Sequence, residues 1–299
     1  MFQMDLKQMN YIKFPNNFGE LEDELSNYNA SKAVILPIPY EKTTTYVKGA
    51  AKGPQAILEA SRNMELYDEE LAKDICEVGI CTLNELKIGE EPEQMVNIVS
   101  ENVKNLISDK KFPVVIGGEH SITPGCVKAF SQSYDDFSIL QLDAHTDLRE
   151  EYGKTKFSHA CAMRRCLDIC KNIVQVGVRS LCSEEADFIK KNKLKILWAK
   201  DTFGNDAWFD DAISRLSKNV YITLDLDVFD PSILPSSGTP EPGGLYYYQM
   251  LKFLRRVFEN KNVVGFDVVE LCPNEKDVSS DFTASKILYK MIGYKFAQK

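Results

Sequence analysis

The sequence predicts an α/β fold in three layers, with helices on both faces of a central, mostly parallel sheet. Three observations carry that expectation. Short apolar, β-branched runs alternate with stretches in which apolar residues recur every three or four positions. The runs show little polar alternation, as expected of strands covered on both faces. The Asp, Glu and His residues best suited to chemistry fall just past the carboxyl ends of these runs, where such sheets bind ligands.

Residues 33–38 (A-V-I-L-P-I) read as the first buried strand. A long polar loop follows, P-Y-E-K-T-T-T-Y-V-K-G-A-A-K-G-P, and its length marks it as a candidate site wall. Pro54 starts a helix that runs through Ser61, because at the first helical position its missing amide hydrogen costs nothing. Between Glu93 and Ile107, the residues Met95, Val96, Val99, Val103 and Leu106 form the apolar stripe of an amphipathic helix. A second strand over 112–116 enters G-G-E-H-S at 117–121, and a third fills the apolar half of F-S-I-L-Q-L-D-A-H-T-D at 137–147. A polar connection over 148–158 leads to a helix-like stretch after His159. Then come a strand at 173–178, a helix capped by Ser183 with Glu184 and Glu185 in its first turn, and a short strand at 194–198. Residues 220–226 form a strand through Asp225, 247–258 a helix, and 263–269 the last clear strand, which ends at Glu270.

A chain of 299 residues, 44% of them hydrophobic, suffices for a large core. No linker-like, low-complexity or repeated segment divides it, so one domain over 1–299 is expected, with 1–30 as an N-terminal extension packed on it. A net charge of -8 argues against nucleic acid or an anionic membrane as partner. No apolar run approaches the roughly 18 residues of a spanning helix, and the start lacks a secretory pattern, so a soluble, cytoplasmic protein is expected. The eight cysteines form no C-x-x-C pair and read as reduced, mostly buried thiols. Cys161, Cys166 and Cys170 lie closest together, but without the usual zinc spacing.

The chemistry concentrates in D-A-H-T-D. Asp143, His145 and Asp147 are two residues apart, a spacing that points side chains to one face of an extended backbone. Gathered carboxylates and imidazole repel and lose hydration unless a divalent ion joins them. Asp225 and Asp227 repeat the spacing on another strand, and His120 follows a third. Six such donors exceed what one ion takes while keeping a reactive position open, so two ions about 3.5 to 4 Å apart fit better. Four aspartates against two imidazoles favour Mn²⁺ over zinc. With Glu270 added, the site stays negative and suits a small cationic substrate. Taken singly, each group has a plainer reading: a solvated strand end for the aspartates, a surface acid for Glu270, a loop histidine for His159.

Together with S-H-A at 158–160, D-L-D-V-F-D-P at 225–231, G-T-P-E-P-G-G-L at 238–245 and D-V-V-E at 267–270, these motifs resemble the ureohydrolases, the arginase and agmatinase family, in family order. The resemblance implies an arginase-like fold, two Mn²⁺ per chain, and hydrolysis of a guanidino group to urea and an amine. It implies one manganese held by His120, Asp143, Asp147 and Asp225, and the other by His145, Asp143, Asp225 and Asp227. It further implies that Glu270 orients the guanidinium, that Asp147 carries the proton from the nucleophile to the departing amine, and that His159 shuttles protons at the mouth. Thr239 is expected to bind substrate alongside Glu270 and His159. The segment L-R-E-E-Y-G-K-T-K-F-S-H-A lacks the Asn/Ser-rich pattern of arginases, and Ser180 stands where they commonly carry an aspartate. Agmatine is therefore the expected substrate, giving putrescine; arginine and guanidinobutyrate are alternatives, with Arg149 or Lys48 available to meet a carboxylate. A homo-oligomer, trimer or hexamer, is also implied. A single-zinc deacetylase fits less well because paired D-x-D argues for two metals, no metallophosphoesterase signature occurs, and a non-catalytic homologue would not be expected to keep the full set.

Overall fold

The computed structural model describes residues 11–89 and 91–296. Its strands are β1 (Tyr11–Ile12), β2 (Ala33–Ile38), β3 (Tyr67–Asp68), β4 (Lys73–Asp74), β5 (Ile80–Leu83), β6 (Phe112–Gly117), β7 (Phe137–Leu142), β8 (Ile173–Val178), β9 (Ile196–Trp198), β10 (Asn219–Asp225) and β11 (Asn262–Val269). Its helices are α1 (Asp23–Ser26), α2 (Gly53–Ser61), α3 (Pro92–Ser108), α4 (Thr123–Ser131), α5 (Ala162–Ile169), α6 (Ser183–Asn192), α7 (Ala199–Thr202), α8 (Trp208–Arg215), α9 (Tyr247–Asn260) and α10 (Ser279–Phe296).

Among the described residues, nine strands join in one sheet, in the order β1-β5-β2-β6-β11-β10-β7-β8-β9. Only the edge pair β1 and β5 is antiparallel. Alternate residues of one strand enter opposite cores: Ala33 and Ile35 pack on one side of β2, Val34, Leu36 and Ile38 on the other. That is why these strands read as unbroken apolar runs. Ile57 of α2, Phe209 of α8, Leu254 of α9 and Ile287 of α10 share the first core; Val99 of α3, Val127 of α4, Met163 of α5 and Ile189 of α6 share the second. The sheet is thus the middle of three layers, the α/β/α fold expected.

The order of the central strands positions the site. The chain lays down β6 and β7 early, then inserts β10 and β11 between them. The four carboxyl ends at which the candidate residues lie therefore stand side by side. No helix among the described residues is long and apolar enough to cross a membrane.

Several details differ from expectation. The sequence places a capping Ser183 ahead of a helix, but Ser183 is the first helical residue; Cys182 is the cap, and the Glu185 carboxylate accepts its backbone N–H at 2.8 Å. Reaching back from the third helical position, Glu185 satisfies a donor that the helix start would leave unpaired. Gly53, not Pro54, begins α2. Residues 1–10 of the expected extension lie outside the described residues; of the rest, Tyr11 pairs with Leu83 and Phe18 is fully buried.

Candidate metal centre

His120 follows β6, Asp143 to Asp147 follow β7, Asp225 closes β10 and Glu270 follows β11. Five of the six expected ligands line one cavity of about 220 Å³; the sixth, Asp143, is fully buried and not among the lining residues. Two donor groups form there: His120, Asp143 and Asp147, and Asp143, His145 and Asp227. Asp143 belongs to both. Asp225 joins the first, its Oδ2 lying 3.3 Å from His120 Nδ1.

Strand periodicity is not what brings them together. β7 ends at Leu142, and Asp147 has a φ of 52°, so the chain has already turned. Asp143 and Asp147 reach His120 Nδ1 at 3.1 and 3.0 Å, while His145 swings to Asp227 at 2.9 Å. Asp227 likewise lies beyond its strand, in a 3-10 turn whose backbone N–H donates to Asp225 Oδ1 at 2.9 Å. The residues named by the equal-face argument do meet, but through turns beyond the strand ends and not through strand alternation. Positive φ recurs at Glu270, at 66°, a region non-glycine residues enter at a cost.

The donor set fits a divalent cation. His120 Nδ1 is buried with three carboxylate oxygens within 3.3 Å, yet no hydrogen bond satisfies it. The other ring nitrogen explains why. Nε2 lies 2.8 Å from Thr223 Oγ1, and that hydroxyl donates to Asp267 Oδ1 at 2.5 Å. Its proton committed, Thr223 accepts from Nε2–H, leaving the Nδ1 lone pair aimed at the carboxylates. Lone pair against carboxylates is repulsive until a cation lies between them. The carboxyls register the crowding. Burial and the Asp143 charge push Asp147 up to about 7, and burial with Asp227 and Asp143 raises Asp225 well above the usual range. Burial, then Glu119, raises Glu270 too.

The remaining expected residues also reach the cavity. Glu270, His159 and Thr239 line it, and Glu270 Oε1 accepts the His120 backbone N–H at 2.6 Å. The loop suspected as a wall supplies Thr44, Thr45, Tyr46 and Val47, and Ser180 and Arg149 contribute as well. Lys48 is not among the lining residues. Sequence reading missed the supports. Buried Glu119 accepts from the Lys42, Thr43 and Thr44 N–H groups and from the Thr43 and Ser121 hydroxyls. Glu185, besides closing α6, accepts from Thr146 Oγ1 at 2.6 Å and Leu148 N at 2.9 Å, pinning the turn after Asp147. The Arg179 guanidinium donates to the carbonyls of Asp227 and Glu241, both at 2.7 Å, tying the D-x-D turn to the loop over it. The cysteine trio contributes nothing here: all three are buried free thiols, and no cysteine enters the metal-type groups of the described residues.

Comparison with known proteins places the chain in a family. The model of the arginase family matches residues 31–293. An N(1)-aminopropylagmatine ureohydrolase of Synechocystis sp. is 40% identical, covering 94% of each chain. An agmatinase of Pyrococcus horikoshii is 35% identical over 87% of this chain and 90% of its own. Among solved structures, an agmatine ureohydrolase of Thermoplasma volcanium superposes with a TM-score of 0.86 at 31% identity, covering 94% of both. With a family match over nearly its whole length and a fold shared with such enzymes, the chain belongs to the arginase family, among its agmatinase-like hydrolases.

Proposed function

We propose that this chain hydrolyses the guanidino group of a linear cationic amine, releasing urea, with His120, Asp143, His145, Asp147, Asp225 and Asp227 holding two Mn²⁺. The observation that carries the reading is the meeting of these donors in two groups sharing Asp143, with Glu270 facing the same cavity. When bound, a pair of divalent cations makes water acidic enough to furnish a nucleophile near neutral pH.

The chain's own residues do the rest. A guanidinium entering beside Glu270 favours its ionised carboxylate, which grips the planar cation by paired, charge-assisted hydrogen bonds. That grip turns the guanidinium carbon toward the acidic cluster. Asp147, at the cavity beside the attacking water, takes a proton from it and passes it to the departing amine. His159, at the cavity wall, exchanges protons with solvent. Thr239, which lines the same cavity, contacts the bound substrate.

Agmatine is the first substrate to test, because residues 148–160 lack the Asn/Ser-rich pattern of arginases and Ser180 stands where they commonly carry an aspartate. Arg149, which lines the cavity, keeps guanidinobutyrate and arginine among the alternatives. The relatives' names add N1-aminopropylagmatine, from which the same cleavage yields spermidine instead of putrescine. Glu241 favours the longer amine: its carboxylate, 3.9 Å from His145 Nε2 and partly exposed, suits an additional ammonium. The enzyme is further proposed to work as one domain, in the cytoplasm, as a trimer or hexamer. Urea release from agmatine, N1-aminopropylagmatine, arginine and guanidinobutyrate tests the reading. Activity on either of the first two supports it; with metal bound and urea from none of the four, the hydrolase assignment falls.

A further inference from the structure

We propose that Thr43 and Glu119 are positioning residues that hold His159 in a single tautomer, with its proton on Nδ1 and the Nε2 lone pair available to the reaction. The inference takes its chemical consequence from the proposed hydrolysis, but its structural content stands apart.

The geometry is a chain of three groups. Thr43 Oγ1 lies 3.2 Å from His159 Nδ1, and it accepts the His159 backbone N–H at 3.0 Å. The same hydroxyl donates to Glu119 Oε1 at 2.7 Å. Glu119 is fully buried; three backbone N–H groups converge on its Oε2, and the Thr43 and Ser121 hydroxyls on its Oε1. Five donors on two oxygens describe a carboxylate, which has no proton to give back. The single Thr43 hydrogen is therefore committed to Glu119. Facing a hydroxyl that only accepts, Nδ1 must be the donor. The other neighbour of Nδ1, Ser158 Oγ, is farther away at 3.4 Å, and Tyr152 meets the ring at 88° with centroids 6.0 Å apart, limiting its rotation. Among the described residues, Nε2 has no protein partner.

The consequence concerns proton balance. In this tautomer Nε2 accepts a proton, and the imidazolium so formed keeps its Nδ1–H bond to Thr43, with the Glu119 charge one hydroxyl away to stabilise it. In the alternative tautomer Nε2 already carries a proton, and the ring cannot accept another on the cavity side. The arrangement mirrors that at His120, where Asp267 acts through Thr223, but with the opposite outcome. At His120 the proton is fixed on Nε2, and at His159 on Nδ1.

The chain holds only three histidines, so ¹⁵N-labelled imidazole signals of the full protein, loaded with a diamagnetic divalent cation, can be resolved and assigned with a His159→Asn control. The expected result is an Nδ1-protonated His159 in the wild type and in Thr43→Ser, and loss of that preference in Thr43→Val. Kinetically, Thr43→Val should lower kcat on the order of tenfold while KM and bound metal stay near wild type, with Thr43→Ser restoring most of the rate. A His159 protonated on Nε2, or one whose tautomer ignores Thr43→Val, overturns the proposal. A protein that shows the expected tautomers but releases no urea contradicts the proposed function instead and leaves the tautomer assignment intact.

Discussion

Thr223 Oγ1 stands 2.8 Å from His120 Nε2, and this contact decides which face of the imidazole is open to a cation. Replacing Thr223 with the isosteric valine leaves Nε2–H unpaired and removes the preference for a free Nδ1 lone pair. Divalent-cation affinity should fall about 10- to 100-fold, the usual cost of losing such a support. Isothermal titration with Mn²⁺ checks it; an unchanged affinity would show that the relay does not set the ligand.

A second cluster, far from the cavity, bears on stability. Lys290 is buried and reaches Asp68 at 3.0 Å and Glu69 and Glu70 at 3.2 Å. Lys290→Met strands the equally buried Asp68 and should destabilise the fold by about 3 to 5 kcal/mol, read from denaturant unfolding. The pH dependence follows from the partners. Glu70 is lowered below its ordinary 4.5, against burial, by Arg255, Tyr294 and Lys290, and Lys290 is raised above 10.5, against burial, by Asp68 first. Carboxylate stabilisation is present above the unfolded value and lost as pH falls through the folded one; lysine stabilisation is present below its unfolded value and lost as pH rises through the folded one. The difference between wild type and variant should therefore stay constant between pH 6 and 9, on these ordinary values, and shrink in acid. A difference that grew in acid would contradict the assignment.

Asp281 behaves oppositely. The first turn of α10 favours a carboxylate, but burial, Asp277 and Glu59 outweigh it and push the group up to about 6, and its Oδ1 has no hydrogen-bond partner. Because the folded value is the higher one, the native state holds the proton more tightly, and stability declines as pH rises from 3.8 towards 6. Asp281→Asn should abolish that decline and raise the melting temperature at neutral pH. A melting temperature lower than wild type at pH 7 would contradict it.

The legible and hidden parts of the molecule differ for physical reasons. Asp143, Asp225 and Glu270 stand out because each breaks an apolar run at a point where a buried charge needs a purpose. The insertion of β10 and β11 between β6 and β7 leaves no local trace, since strand order is settled by tertiary pairing. The backbone at Asp147 turns left-handed, a conformation that side-chain spacing does not encode. Supports such as Thr43 and Thr223 were invisible because their partners lie far along the chain and a lone threonine carries no signal. The long α10 was missed because it is buried nearly all round, with Ser280, Ala284, Ser285 and Leu288 among its covered residues, so no single apolar stripe marks it.

The most direct test of the centre is the number of divalent cations bound per chain, measured by elemental analysis of wild type and Asp143→Asn side by side. Sharing of Asp143 between both donor groups leads to an expected count of about two Mn²⁺ in the wild type, with both lost together in the variant. A wild type that binds only one, or an Asp143→Asn protein that keeps both, would contradict a two-cation site built on that residue.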